Sequence, residues 1–171
     1  IYLVPVFLDV EGDDDGEELE FQGRPVRIPG VIIIPGQVGI LNQHFEATLV
    51  VANGAPAGSP TSLVVRDLSA MIELPDAGTP NDTSDDPLKV AETQEGGQVT
   101  TLPIHGLGPD GDYGTADDST VLRPGEAGQA SFLVEGLKEG LHTIDFNLEG
   151  ILDGLPVGPV TVKTRVPGSV L

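Results

Sequence analysis

Four aspartates, Asp110, Asp112, Asp117 and Asp118, share the eleven residues 108–118 with three glycines, Gly108, Gly111 and Gly114. Calcium takes six to eight oxygen ligands, and short loops with acids at close spacing and glycine at the bends bring carboxylates and backbone carbonyls around it. Tyr113 or Thr115 would add a carbonyl oxygen. Four acids this close repel one another unless water or a cation screens them. Two readings therefore stand side by side: a loop folded around Ca2+, and an acidic turn surrounded by water. The segment lacks the glutamate that closes an EF-hand loop. A second acidic group, Asp82, Asp85 and Asp86, is a candidate second-tier metal site, as are Asp13, Asp14 and Asp15; for each, a solvated loop is the competing reading.

No other residues in the chain form a comparably specific pattern. His44, His105 and His142 are dispersed and match no catalytic triad or zinc spacing. With no Cys, disulfides, thiolate chemistry and Cys-ligated zinc are excluded. Paired acids suit glycoside hydrolysis, but the absence of Trp and an aromatic content of 4% leave few platforms for stacking sugars. The sequence predicts a protein that is not an enzyme. Asn81, Asp82 and Thr83 match a glycosylation sequon, a pattern of low specificity.

The elements that must hold the loop are β-strands. Gly (23) and Pro (15) punctuate the 171 residues too often for a long amphipathic helix, while 39% apolar residues gathered in β-branched runs supply a core. Alternation is clean where Phe45, Ala47, Leu49 and Val51 share one side of a strand and His44, Glu46, Thr48 and Val50 the other. Similar runs cover 129–134, with Phe132 and Val134 inward, and 141–149, with His142, Ile144, Phe146 and Leu148 on one face. In the closing strand, Val160, Val162, Thr164 and Val166 alternate with Thr161, Lys163 and Arg165. Residues 62–74 predict one long strand or two joined by a bulge, and strands are expected near 88–93 and 98–104. A run at 26–34 is expected to break at Pro29-Gly30. Asp153-Gly154 marks a hairpin. More than six short strands with turns every 8 to 12 residues predict an all-β fold, an immunoglobulin-like β-sandwich.

Residues 1–10 are apolar on both faces and read as an additional N-terminal strand or arm, at a sheet edge because Pro5 has no N–H to give a ladder. An acidic linker follows, so the chain divides into 1–24, strand and linker, and 25–171, the sandwich. Ile1, Tyr2, Leu3, Val4, Val6, Phe7 and Leu8 are the candidate contacts with neighbouring copies or domains, through strand addition; the alternative is that they pair in their own sheet.

Twenty-seven acids against eight bases give a formal charge of −19, which repels nucleic acid and anionic membrane surfaces. Eight acids lie in 9–20, seven in 73–95 and four in 110–118. No apolar run approaches the roughly 20 residues of a membrane span, so membrane insertion is not expected. No Met opens the sequence, and the expectation is a processed or excised piece of a secreted, extracellular or cell-surface protein.

The order Leu-Arg-Pro-Gly-Glu (122–126), Ala-Ser-Phe-Leu-Val-Glu (130–135) and Glu-Gly-Leu-His-Thr-Ile-Asp-Phe (139–146) resembles the later strands of immunoglobulin-like domains in large bacterial surface proteins. Residues 108–118 resemble the Gly-Pro-Asp-Gly-x-x-Gly-Thr-Ala-Asp-Asp element of long secreted bacterial proteins, for which the resemblance implies calcium. Together they imply a structural module, one domain of an array or a subunit of an extracellular fibre, with a homopolymer among its forms. The alternative is an adhesin module that binds a surface or host ligand through its loops. Residues 1–43 carry no such resemblance.

Overall fold

The computed structural model of the chain describes residues 2–9, 20–21, 24–25, 27–34, 43–55, 63–79, 82, 84–155 and 158–170. Ile1, Asp13, Asp14, Asp15, Asn81 and Thr83 lie outside the described residues. The described chain has strands and no helix: β1 (Tyr2–Asp9), β2 (Glu20–Phe21), β3 (Arg24–Pro25), β4 (Arg27–Ile34), β5 (Gln43–Ala52), β6 (Val64–Glu73), β7 (Leu88–Val90), β8 (Thr101–Pro103), β9 (His105–Gly106), β10 (Val121–Leu122), β11 (Ala127–Gly136), β12 (His142–Asp153) and β13 (Val160–Val170).

Two antiparallel sheets face each other. The first has the order β1-β4-β5-β11, with β7 and β9 both on the far side of β11; the second has β6-β12-β13, with β10 and β8 both on the far side of β6. β2 and β3 form a separate small ladder. The alternation on β5, β11 and β12 holds as expected, because each strand gives one face to the core and one to solvent. Phe45, Ala47, Leu49 and Val51 of β5 are buried, and so are Phe132 and Val134 of β11 and Ile144, Phe146 and Leu148 of β12. At the centre Phe132 and Phe146 meet across the two sheets, with ring centroids 5.8 Å apart and planes tilted by 47°.

The segment at 62–74 is one strand with a bulge. Between the pairs Glu149↔Ser69 and Ile151↔Arg66 the strand β6 holds one residue more than β12, and Asp67 adopts a left-handed backbone, φ 53°. The extra residue resets the parity: Val65 before it and Leu68, Ala70 and Ile72 after it all point inward, which a strict two-residue period forbids. Asp is among the residues that tolerate this conformation, and its backbone N–H donates to the Thr120 carbonyl at 3.1 Å. Opposite the bulge, a Cβ on Gly150 would come within 2.7 Å of Leu68 Cδ1 and 3.2 Å of Leu68 Cα. The Gly150→Ala variant is therefore expected to lose about 1–3 kcal/mol through overpacking, read from the midpoint of urea unfolding.

Three expectations change in detail. β4 continues through Pro29 and Gly30, pairing them with Phe7 and Val6 of β1, and its pairing with β5 begins at Gly30, just past the proline. The expected strand near 88–93 shortens to Leu88–Val90, with a single bridge from Glu92 to Gln98. The expected strand near 98–104 is two short strands in different sheets: β8 lies on β6, β9 on β11, and fully buried Ile104 carries the chain between them. As the sequence predicts for Pro5, β1 is an edge strand; it pairs with β4 of its own chain from Tyr2↔Ile34 to Asp9↔Arg27.

Candidate functional site

The acidic loop hangs from the crossing at Ile104. Its roots are locked by a reciprocal pair of bonds: Gly106 N–H donates to the Ser119 carbonyl at 2.8 Å and Ser119 N–H to the Gly106 carbonyl at 3.0 Å. Gly106 ends β9 in one sheet, and Ser119 leads within two residues into β10 of the other. The loop thus caps the seam where the chain crosses from β8 in one sheet to β9 in the other and returns through the loop to β10.

Within the loop, Gly111 and Gly114 take left-handed backbone, φ 80° and 84°, which an L side chain adopts only with strain. Gly108 is needed for a different reason: a Cβ there would sit 2.7 Å from the Asp117 carbonyl oxygen. Three of the four carboxylates, those of Asp110, Asp117 and Asp118, are turned on the loop's own donors. Asp110 Oδ1 accepts from Asp112 N–H at 3.0 Å, Asp117 Oδ2 from Asp110 N–H at 3.3 Å, and Asp118 Oδ2 from Gly114 N–H at 2.6 Å. Thr115 Oγ1 donates to Asp117 Oδ1 at 2.7 Å. Asp118 is almost fully enclosed, its side chain 2% exposed, and its Oδ2 lies 3.8 Å from His105 Nδ1. A hollow of about 250 Å³ beside it is lined by Leu102, Pro103, His105, Tyr113, Asp118 and Gln129 among others.

The electrostatics follow this wiring. The Thr115 hydroxyl, aided by backbone N–H donors, holds the Asp117 carboxyl below the usual carboxylate range, against a smaller opposing effect of burial. Burial raises the Tyr113 phenol, and the Asp118 negative charge adds to the rise. Because the folded Asp117 favours its ionised form, its contribution is full above the unfolded value of about 3.9 and disappears as pH falls through the lower folded value. In chelator, the Thr115→Val variant is expected to shift the Asp117 titration upward toward that ordinary value, measured by carboxyl-carbon NMR.

Asp110, Asp112, Tyr113, Asp117 and Asp118 are thus brought into one loop. The donor set is all oxygen and suits a hard cation, but among the described residues no three acid or histidine side chains gather in a metal-holding arrangement. Asp82, Asp85 and Asp86 lie in a separate loop with its own closure. Asp82 Oδ1 accepts from the Ser84 hydroxyl and N–H, which lowers its pKa. Asp85 Oδ1 accepts from Thr79 Oγ1 at 2.7 Å and Asp86 Oδ1 from Ala77 N–H at 3.0 Å. Tyr2, Leu3, Val4, Val6, Phe7 and Leu8 lie on the edge strand β1, far along the sheet order from the loop.

The three histidines stay apart. His44 Nε2 lies 4.0 Å from Glu135, which also binds Lys89 Nζ at 3.1 Å. His142 is half-buried at the start of β12, outside the core, with Nε2 3.2 Å from the Lys138 carbonyl.

Two residues escaped the sequence reading. His105 beside Asp118 is invisible without the crossing that places it there. Asn53, the residue after β5, is buried at 5% exposure and ties four segments together. Its Nδ2 donates to the carbonyls of Leu63 at 2.7 Å and Leu122 at 3.0 Å, its Oδ1 accepts from Ala55 N–H at 3.1 Å, and its backbone bonds Gly125 and Glu126. An asparagine directly after an alternating strand was the signal available.

No protein-family model matches this sequence, and no curated protein matches it.

Proposed function

We propose that the chain is a non-catalytic structural module of a secreted bacterial surface protein or extracellular fibre, an immunoglobulin-like sandwich that works by keeping its shape and meeting neighbouring copies or domains through strand contacts. The observation that carries this reading is the seam: the most chemically specific loop of the chain caps the joint between the two sheets, away from any cluster of catalytic groups among the described residues. A loop so placed stiffens the whole sandwich when it stiffens.

Ca2+ is proposed for residues 108–118 on their donor chemistry, with Asp110, Asp112, Asp117 and Asp118 as the carboxylates and Tyr113 as a carbonyl donor. The dense negative charge of the loop supports it, since a divalent ion removes the repulsion that the loop's own N–H groups offset only in part. If the site binds with a dissociation constant of about 10 µM and calcium stands near 1 mM, the gain is about 2.7 kcal/mol. Chelation is expected to lower the melting temperature by several degrees and to leave the far-UV spectrum of folded strands unchanged. Calorimetry with EDTA and with added calcium tests it; superimposable melts would remove calcium from the reading and leave the loop closed by its own hydrogen bonds.

A further inference from the structure

Asn53-Gly54 is the one Asn-Gly pair in the sequence; the other asparagines precede Gln43, Asp82 and Leu148. In an open chain this pair reacts with itself. The Gly54 backbone nitrogen attacks Cγ of Asn53, a C–N bond forms, the Cγ–Nδ2 bond breaks, and the proton lost by the nitrogen ends on the departing ammonia. Water then opens the resulting imide at either carbonyl, leaving aspartate or isoaspartate at position 53. Glycine favours the attack because it has no side chain in the way and lets the backbone turn into it. Water is the only co-reactant.

The fold holds each reacting group still. Asn53 Nδ2 donates to the carbonyls of Leu63 at 2.7 Å and Leu122 at 3.0 Å, and Oδ1 accepts from Ala55 N–H at 3.1 Å, so Cγ turns only when these bonds are given up. The Asn53 carbonyl accepts from Gly125 N–H at 2.8 Å. That carbonyl and the Gly54 nitrogen belong to one planar peptide unit, so the nucleophile is fixed as well. Burial of Asn53 keeps away the water that carries protons to the leaving nitrogen. The tethers sit on separate segments: Leu63 just before β6, Leu122 in β10 and Gly125 in the turn before β11. Reaction therefore waits on an opening that parts them, and its rate in the native protein is the open-chain rate scaled by the fraction of chains open at this corner.

The product does not fit the place it came from. A carboxylate has no N–H to give, so the Leu63 and Leu122 carbonyls lose their donors and face a negative charge. In isoaspartate the main chain also runs through the former side chain and is longer by a methylene, which displaces the backbone bonds to Gly125 and Glu126.

We infer that Asn53-Gly54 is a self-modification site gated by the fold: the amide survives while the corner at the end of β5 is closed, and its conversion in an open chain biases that chain against closing again. Asn53 thus works as a ratchet that makes opening of the sandwich progressively harder to reverse. The gate operates whether or not the chain is a structural module, and with or without calcium.

The test holds the full chain in mildly alkaline buffer, with and without denaturing urea, and follows conversion at position 53 by peptide mass spectrometry. Conversion is expected to be about a hundredfold or more slower in buffer, as for a site that reacts only on opening. Gly54 is exposed, and Gly54→Ala keeps Asn53 while obstructing the attack; in urea it is expected to convert about tenfold more slowly. The converted chain is then separated from the unconverted one by its added negative charge and returned to buffer. Its unfolding constant is expected to be about a hundredfold larger, because two buried carbonyls have lost their donors. Failure of the converted chain to fold at all supports the ratchet when Gly54→Ala, held in urea equally long, still folds, and overturns it when that chain fails too. Conversion in buffer within about threefold of that in urea overturns the gate, and so does a converted chain with the parent's urea midpoint.

Discussion

The Phe146→Ala variant is expected to unfold with about 4 kcal/mol less free energy than the parent chain, within the 3–5 kcal/mol usual for a buried phenylalanine. Phe146 is fully buried on β12 and its ring lies across from Phe132 on β11, so truncation opens a void at the point where the two sheets hold each other. Neighbours cannot collapse into that void freely, since Ile144 and Leu148 on the same strand are themselves buried and fixed by pairing to β6 and β13. With a domain stability of typically 5–15 kcal/mol, the loss takes a large part of the total. Urea unfolding followed by circular dichroism measures it. Leu133→Ala on the outer face of β11, where the side chain is 52% exposed, is the control and should change stability by no more than about 0.5 kcal/mol. Equal losses at the two positions would mean that the sheets do not share this core.

Replacing Asn53 by alanine is expected to lose about 3 kcal/mol, although the residue sits beyond the end of a strand. The amide donates to two carbonyls and accepts from one N–H, and each buried group left without a partner costs about 1–3 kcal/mol. The Asn53→Asp variant separates this from loss of volume. An ionised carboxylate cannot donate to the carbonyls of Leu63 and Leu122, whereas the protonated acid can donate to one of them. Relative to the parent chain, Asn53→Asp should therefore be more damaging at pH 7 than at pH 3. A difference between the two chains that does not change with pH would show that donation to those carbonyls is not what the residue supplies.

What the sequence makes legible follows from how far each signal reaches. The inward sides of β5, β11 and β12 can be read directly, because burial of one face writes a two-residue period into the chain. Pro5 marks an edge strand for an equally local reason. The bulge in β6 is visible as a conflict between Val65 and Leu68, two apolar residues an odd number apart that must share a face. The crossing at Ile104 leaves no such mark. Leu102, Pro103, Ile104 and His105 look like one strand, and which sheet each half joins depends on distant partners, Ala70 opposite Leu102 on one side and Gln129 opposite His105 on the other. For the loop, residue types identify the segment and its glycine bends, since both are local. They do not show that Asp110, Asp117 and Asp118 each meet an N–H of the same loop, because that depends on backbone directions set by the seam. Asn53 was missed because its partners, Leu63 and Leu122, are separated from it by 10 and 69 residues.

The half-enclosed position of Tyr113, beside Asp118 and within the hollow at the seam, makes the loop observable without a label. The chain has no Trp and two Tyr residues, and the other, Tyr2, belongs to β1 at the opposite margin. Near-ultraviolet emission of the unmodified chain thus comes from two phenols at opposite margins. A Tyr2→Phe chain leaves a single chromophore, whose quenching by the adjacent carboxylate reports directly on what those oxygens are doing. Titrating a divalent salt against that signal follows the seam in real time, while the rest of the molecule stays optically silent.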